Sequence, residues 1–499
     1  MEIRAVAVIA LGTMGAGIAE VLARGGLQVT AIEADPGALA RGMASLDASL
    51  GRAVARGKLT STEQAEILGR VRPAAGIAAA AAADLAIEAV PERLDVKLSV
   101  LGELDRGCRA DAILATNTSS LSVTSIAAGT RHPGRVVGLH FFNPAPVMRL
   151  VEVITTVLTG PGAGDAVTGL VHRLGKIPVT VTDRAGFVAN ALLLPYLNHA
   201  VTLLETGYAT REDIDTAART GIGLPMGPLA LLDLIGLDTS LSILEILGGE
   251  LGGPRYRPAP LLRRLAGAGL TGRKSGRGFY DYRAGQPAPA GGQETIHNAA
   301  TGAGPGPVTL ISGGAGDTAE LAALIGPASP VAAGRTDGLV IVAASDTGAG
   351  VLPAAMLAGR PADTVGLHLA AGGRLAELVT TRLSSPAAVE AALRLARGLG
   401  RDVVRCPDRP GFLAGALLYP HLGDAVRMVQ DGYASAADID AAMTLGCGYP
   451  RGPLRMLDDI GAGRVLAGLT AMHSRYGDPA FAPPPLLAEH AEAGIAFCL

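Results

Sequence analysis

Short apolar runs alternate with longer amphipathic stretches over roughly the first 155 residues. Ala5-Val6-Ala7-Val8-Ile9 is continuously apolar, and Gly15 to Ala23 after it reads as a helix. Gln28-Val29-Thr30-Ala31-Ile32, Asp84-Leu85-Ala86-Ile87 and Ala112-Ile113-Leu114-Ala115 read as further strands. Strands that are apolar on both faces and separated by helices belong in a parallel sheet of an α/β domain. From Asn190 to about Leu265 the pattern turns helical, with Ala191–Leu204 and Leu229–Leu247 each read as a helical stretch. A Pro/Gly-rich stretch from Gln286 to Pro307 then reads as a linker.

The pattern recurs. Asp183-Arg-Ala-Gly-Phe-Val-Ala-Asn190 returns as Asp408-Arg-Pro-Gly-Phe-Leu-Ala-Gly415, and Gly207-Tyr-Ala-Thr-Arg-Glu-Asp-Ile-Asp215 as Gly432-Tyr-Ala-Ser-Ala-Ala-Asp-Ile-Asp440. At a constant offset of 225, residues 183–236 and 408–461 share 29 identities in 54 positions without a gap. That is a duplicated domain, at a period far too long for a solenoid. Upstream the echo weakens: Val137-Gly-Leu-His140 matches Val365-Gly-Leu-His368, and Arg149-Leu-Val-Glu152 matches Arg374-Leu-Ala-Glu377. Val308-Thr-Leu-Ile-Ser312 and Leu339-Val-Ile-Val342 read as relics of sheet strands. The expected organisation is an α/β chain with a Rossmann-type dinucleotide-binding domain at 1–185 and an all-α domain at 186–282. A linker at 283–307, a degenerate, shortened Rossmann-like segment at 308–407 and a second helical copy at 408–499 follow.

Composition narrows the class. A chain of 499 residues has room for about two to four domains. With 49% apolar and 17% charged residues it is no disordered chain. A net charge of −3 speaks against nucleic acid or an anionic membrane as the main partner. The most membrane-like stretch, Ala74 to Val90, carries Asp84 and Glu88 and is too short and polar to span a bilayer. No leader pattern precedes the first strand. The four cysteines (Cys108, Cys406, Cys447 and Cys498) form no CxxC pair and no metal-ligand spacing, so reduced thiols, no metal and a cytoplasmic setting are expected.

Two constellations carry chemistry. Strand one leads into Ala10-Leu11-Gly12-Thr13-Met14-Gly15 and a helix, a dinucleotide fingerprint with alanine at its first glycine. Gly12 lets backbone approach a pyrophosphate, Gly15 allows close helix–strand packing, and the helix N-terminus attracts the anion. Glu33 ends the second strand where an acid would accept the ribose hydroxyls, with no arginine close behind it, which favours NAD over NADP. Ala10 adds a methyl to the turn, so weaker NAD binding or a shifted loop is expected. The second constellation is His140, followed 12 residues later by Glu152 inside an apolar strand. A carboxylate buried there needs a partner, and a His–Glu pair raises imidazole basicity for abstraction of a hydroxyl proton.

Asn117-Thr-Ser-Ser-Leu121, His140-Phe-Phe-Asn-Pro144, Gly186-Phe187 with Asn190, Pro225-Met-Gly-Pro228 and Gly272-Arg-Lys-Ser-Gly-Arg-Gly-Phe-Tyr280 resemble the L-3-hydroxyacyl-CoA dehydrogenases over about residues 1–282. Its length and duplicated helical region make the chain similar to a long bacterial branch of that family, the 3-hydroxyadipyl-CoA dehydrogenases of phenylacetate catabolism. The resemblance implies NAD as cofactor and a (3S)-3-hydroxyacyl-CoA such as 3-hydroxybutyryl- or 3-hydroxyadipyl-CoA as substrate. It makes His140 the base, Glu152 its orienting partner, and Ser119 and Asn190 the hydrogen-bond donors to substrate oxygens. Glu92, Lys97, Asn117, Asn143 and Lys274, beside the Gly12–Gly15 turn and Glu33, would contact the cofactor. Ser49 and Arg56 (or Lys58) would contact CoA.

In the second copy Gly415 stands where Asn190 stands, and nothing matches Asn-Thr-Ser-Ser. His368 and Glu377 are therefore expected to be a relic. Members with one helical domain dimerise through it, so residues 408–490 are expected to pack on 186–282 as an internal pseudo-dimer, with further homo-oligomerisation open. The competing reading is an inactive NAD- or CoA-binding scaffold, and the same site run backwards would be a 3-oxoacyl-CoA reductase.

Overall fold

The computed structural model describes residues 2–283 and 307–498, apart from 314–317, 328, 330, 333–337, 349 and 371. The linker expected at 283–307 thus lies almost wholly outside the described residues.

Eight strands form the first sheet: β1 Ala5–Ile9, β2 Gln28–Glu33, β3 Val71–Ala75, β4 Leu85–Glu88, β5 Ile113–Thr116, β6 Val136–Phe141, β7 Leu150–Thr155 and β8 Ile177–Thr182. Their order is β3-β2-β1-β4-β5-β6-β7-β8. Every pairing is parallel except β6 with β7. β4, β5 and β6 are buried at every position, as a sheet with both faces covered requires. After β3 the chain crosses to the other side of β1 to form β4, which opens a crevice at the carboxyl ends of the strands, where such sheets bind ligands.

The second sheet has six strands: β9 Val308–Ser312, β10 Val331–Ala332, β11 Val340–Ala343, β12 Thr364–Ala370, β13 Leu375–Thr380 and β14 Asp402–Pro407, in the order β10-β9-β11-β12-β13-β14. Its far end copies the first sheet, with β12–β13 antiparallel and β13–β14 parallel. The reduction expected from the sequence falls on the near end.

Three helices of the repeat keep the same bounds at the offset of 225. Ala189–Glu205 answers to Ala414–Gln430, Pro228–Ile235 to Pro453–Ile460, and Leu237–Leu251 to Ala462–Tyr476. The single stretch expected over Leu229–Leu247 is in fact two helices. Gly236 stands between them at a φ of 105°, and Gly461 does the same in the second copy at 94°, a conformation open to glycine and to few other residues.

The chain packs as two compact units, 1–191 with 432–448, and 192–431 with 449–499. A segment of the second copy thus belongs to the first unit. There the Tyr433 hydroxyl donates to the Thr182 carbonyl at 3.1 Å, and the Arg184 guanidinium lies 5.1 Å from the Tyr433 ring centroid. In the second unit the Tyr208 hydroxyl donates to the Phe412 carbonyl at 2.5 Å, with the Arg409 guanidinium 5.6 Å from its ring. Gly446 packs on Leu150 in the first unit, and Gly221 on Leu375 in the second, so closely that a Cβ would lie 2.6 and 2.7 Å from the leucine methyls. The two tyrosine–arginine pairs and the two glycine–leucine pairs map onto each other by the same offset of 225, whereas the tyrosine hydroxyls find different acceptors. Among the described residues no helix is long and apolar enough to cross a membrane.

Candidate active site

Antiparallel pairing of β6 and β7 sets His140 directly opposite Glu152. Cross-strand neighbours on one sheet face have side chains within reach of each other. The His140 Nδ1 and Glu152 Oε2 are 2.7 Å apart. The carboxylate side chain is fully buried, and the imidazole keeps 9% of its surface open. Because a carboxylate only accepts, Nδ1 carries the shared proton and Nε2 is left as an acceptor on the open side. The other Glu152 oxygen accepts the N–H groups of Val188 at 3.0 Å and Ala189 at 3.1 Å, at the start of the Ala189–Glu205 helix. A carboxylate is stabilised at that end of a helix. Gly186 and Phe187, at φ of 73° and 48°, turn the chain into this position. Phe142 and Phe187 flank the imidazole at 4.4 and 5.8 Å between ring centroids. One residue into the helix, the Asn190 amide donates to the Ser119 carbonyl at 3.2 Å. His140, Glu152, Ser119 and Asn190 are thus brought together.

The loop carrying Ser119 is held from below. Glu92 accepts from Thr118 Oγ1 at 2.7 Å and from the N–H groups of Ser119 and Ser120 at 2.9 and 3.1 Å. Burial pushes the Glu92 carboxyl up, but the Lys97 charge and these hydrogen bonds outweigh it and hold the group below its ordinary range. The Lys97 side chain is fully buried, and Nζ donates to the Glu88 carboxylate at 3.0 Å and to the Asn117 carbonyl at 3.2 Å, with Glu92 at 3.4 Å. These contacts tie the Leu94–Gly107 helix to the ends of β4 and β5. Glu88 also accepts the Thr116 hydroxyl, and burial raises its pKa. Asn117 Oδ1 accepts the Phe141 N–H at 3.0 Å and so ties the end of β5 to the end of β6.

At the cofactor turn Ala10 adopts the left-handed region, at a φ of 70°, with its N–H on the Ile32 carbonyl at 2.9 Å. A Cβ on Gly15 would lie 1.8 Å from the Ala10 carbonyl oxygen, so only glycine fits there. A Cβ on Gly12, in contrast, would meet nothing within 4 Å. No side chain caps the Thr13–Arg24 helix, so its first turn, with Thr13 and Met14, offers uncapped N–H groups beside open space. Glu33 accepts from the N–H of Leu11 at 3.0 Å and of Ala34 at 3.1 Å, which fixes its carboxylate beside the turn. An open cradle at a helix N-terminus with an acid beside it fits a dinucleotide.

The remaining candidates scatter. Asn143 is exposed in the turn after β6. Ser49 is half-buried on the Pro36–Ala55 helix, Arg56 caps that helix, and Arg56 and Lys58 are exposed. Lys274 belongs to the second unit, where it donates to Asp238 at 2.6 Å. Thr118, Ser120, Glu88 and the two flanking phenylalanines escaped the sequence reading. Their position within the motifs was the available signal.

The second copy repeats the dyad. His368 stands opposite Glu377 in the β12–β13 register, Nδ1 and Oε2 are 2.7 Å apart, and the other oxygen accepts from Leu413 and Ala414 at 2.9 and 2.8 Å. The His-to-Glu spacing falls from 12 to 9 because the connection between the strands is trimmed while the register is kept.

The chain matches "3-hydroxyacyl-CoA dehydrogenase, NAD binding domain" over residues 5–184 and "3-hydroxyacyl-CoA dehydrogenase, C-terminal domain" over 186–282 and again over 411–496. It is 36% identical over 492 residues, 98% of each chain, to the 3-hydroxyadipyl-CoA dehydrogenase of Escherichia coli K12. A probable 3-hydroxybutyryl-CoA dehydrogenase of Bacillus subtilis is 45% identical over 282 residues, which are 56% of this chain and 98% of that one. The crystal structure of an Escherichia coli 3-hydroxybutyryl-CoA dehydrogenase superposes with a TM-score of 0.82 at 34% identity, covering 99% of both chains.

Proposed function

The chain belongs to the 3-hydroxyacyl-CoA dehydrogenase family and is an NAD-dependent enzyme of that class, and from that premise we propose that its first copy carries the reaction through His140. The imidazole Nε2 takes the proton of the substrate 3-hydroxyl as the C3–O bond becomes a carbonyl. Glu152 keeps the ring oriented and stabilises the imidazolium that forms. NAD, when bound, accepts the hydride that leaves C3. Gly12 through Gly15 and Glu33 would hold the cofactor, with Glu92, Lys97, Asn117 and Asn143 as further contacts. Ser119 and Asn190 donate to substrate oxygens and set the carbon in line. Ser49 and Arg56 are the proposed contacts of CoA.

The observation that carries this reading is the 2.7 Å His140–Glu152 pair, whose carboxylate is pinned by two N–H groups one residue from Asn190. A scaffold without activity would have no reason to keep the four groups assembled. The full-length relative acts on 3-hydroxyadipyl-CoA by its name, the shorter one on 3-hydroxybutyryl-CoA, so thioesters of these acids are the proposed substrates. The reciprocal Tyr208–Arg409 and Tyr433–Arg184 contacts support an internal pseudo-dimer of the two copies. Four cysteines outside any disulfide support a reducing, cytoplasmic setting. NADH absorbance with acetoacetyl-CoA tests the assignment: His140→Ala should lower kcat by about 10²–10⁴-fold, and an unchanged rate would remove the proposed base.

A further inference from the structure

Within the second unit, His368 opens onto a cavity of about 670 Å³ that is also lined by Tyr419, Asp346, Arg374, Arg451 and Arg464. We infer that this cavity is a binding site for a small organic carboxylate, which is held there and not oxidised.

The support lies in what the second copy has gained. At the constant offset, Leu194 of the first copy becomes Tyr419, Met226 becomes Arg451, and Thr239 becomes Arg464. Three apolar or small neutral positions have become a phenol and two guanidiniums, all facing one cavity. A site drifting without a ligand sheds polar groups, since each one buried needs a partner. Here a network has been added: the Tyr419 hydroxyl donates to Asp346, and Arg464 donates to the other Asp346 oxygen at 2.9 Å. The Asp346 side chain is 4% exposed, so it is a fixed anchor. Arg464 remains half exposed beside it, Arg451, paired with Asp459, is 61% exposed, and both line the cavity. Glu377 takes His368 Nδ1 from behind and leaves Nε2 toward the cavity.

The charge selects the ligand. Three arginines stand against Asp346 and Asp459 in the lining, a balance that suits a single carboxylate and not a polyphosphate. Guanidinium forks match carboxylate geometry. Oxidation is absent because the Asn190 position is Gly415, and the Tyr419 ring fills the space: a Cβ on Gly415 would lie 2.7 Å from the ring edge.

The test titrates adipate, and separately adipyl-CoA, into the full-length chain by calorimetry. It compares wild type with Arg451→Met/Arg464→Thr, which restores the residues of the first copy, and with Tyr419→Phe. Thermal melts establish that each variant is folded. The expected result is adipate affinity at least about tenfold weaker in the double variant and intermediate in Tyr419→Phe. If adipyl-CoA binds at two equivalents per chain and falls to one in the double variant, the carboxylate arrives on a thioester; if only adipate responds, it is a free acid. No binding of either compound at millimolar concentration, or isotherms unchanged by the double substitution, would overturn the inference.

Discussion

His140–Glu152 and His368–Glu377 are built alike. Each pair is set by antiparallel register, each spans 2.7 Å, and each glutamate is pinned by two N–H groups at the start of a repeated helix. What surrounds them differs. The first pair has Asn190 on Ser119, a loop steadied by Glu92 and Lys97, and a cofactor cradle at Gly12. The second has Gly415, a tyrosine in the vacated space, and arginines. The dyad is therefore as much a structural device as a chemical one. It satisfies a buried carboxylate and two helix N–H groups, and it persists where the surrounding donors have been exchanged.

The sharpest way to break this comparison is to give the first copy the residue of the second. Asn190→Gly should lower kcat with acetoacetyl-CoA by about 10²-fold, the usual cost of one lost oxyanion donor; a rate near wild type would mean the amide is dispensable and the two sites differ for another reason. Next comes Glu377→Gln, which weakens the acceptor for Leu413 and Ala414. Urea melts should show a loss of about 1–3 kcal/mol, with turnover at the first copy preserved. If turnover fell in step, the second dyad would be contributing chemistry.

A smaller effect is expected in the pH dependence of the second copy. Burial lowers the His368 pKa, but the hydrogen bond and charge of Glu377, aided by Asp346, outweigh it and raise the group above its ordinary value. The folded-state pKa then exceeds the unfolded one, about 6.5. The stability contributed is full below that value and fades as pH rises through the folded pKa. Proton NMR of the imidazole should show a midpoint above the ordinary value in wild type and a lower one in Glu377→Gln. The mildest prediction concerns the cradle of the first copy. Ala10 stands in the left-handed region, so Ala10→Gly should stabilise the chain by about 1 kcal/mol without lowering affinity for NAD, both readable by thermal melts with and without cofactor.

Much of this was legible in the chain itself. Short continuous apolar runs located β1, β2, β4 and β5, and the constant offset revealed the copied helices because their boundaries moved together. The histidine–glutamate pair was readable because strand register converts a spacing into a contact, even after that spacing shrank. The carboxylates around Lys97 were not legible: its distance in sequence from Glu88 and Glu92 says nothing about which way a long side chain turns, and a buried cation is visible only when its carboxylates are seen to close around it. The break at Gly236 was hidden because a single left-handed residue leaves the apolar pattern on either side intact. The network of Tyr419, Asp346 and Arg464 joins residues 73 and 118 positions apart, and no local motif announces it.

The exchanged tyrosine–arginine contacts have a consequence for how such a chain changes over time. In an assembly of two identical subunits, every substitution appears twice, so a site can be altered only if both halves tolerate it. Here Tyr208 rests on the Arg409 segment and Tyr433 on the Arg184 segment within one polypeptide. The partner is always present at a high effective concentration, and each half is encoded separately. On the proposed internal pairing, joining the halves end to end frees one of them from symmetry, so the second cavity can carry Gly415, Arg451 and Arg464 where the first has Asn190, Met226 and Thr239.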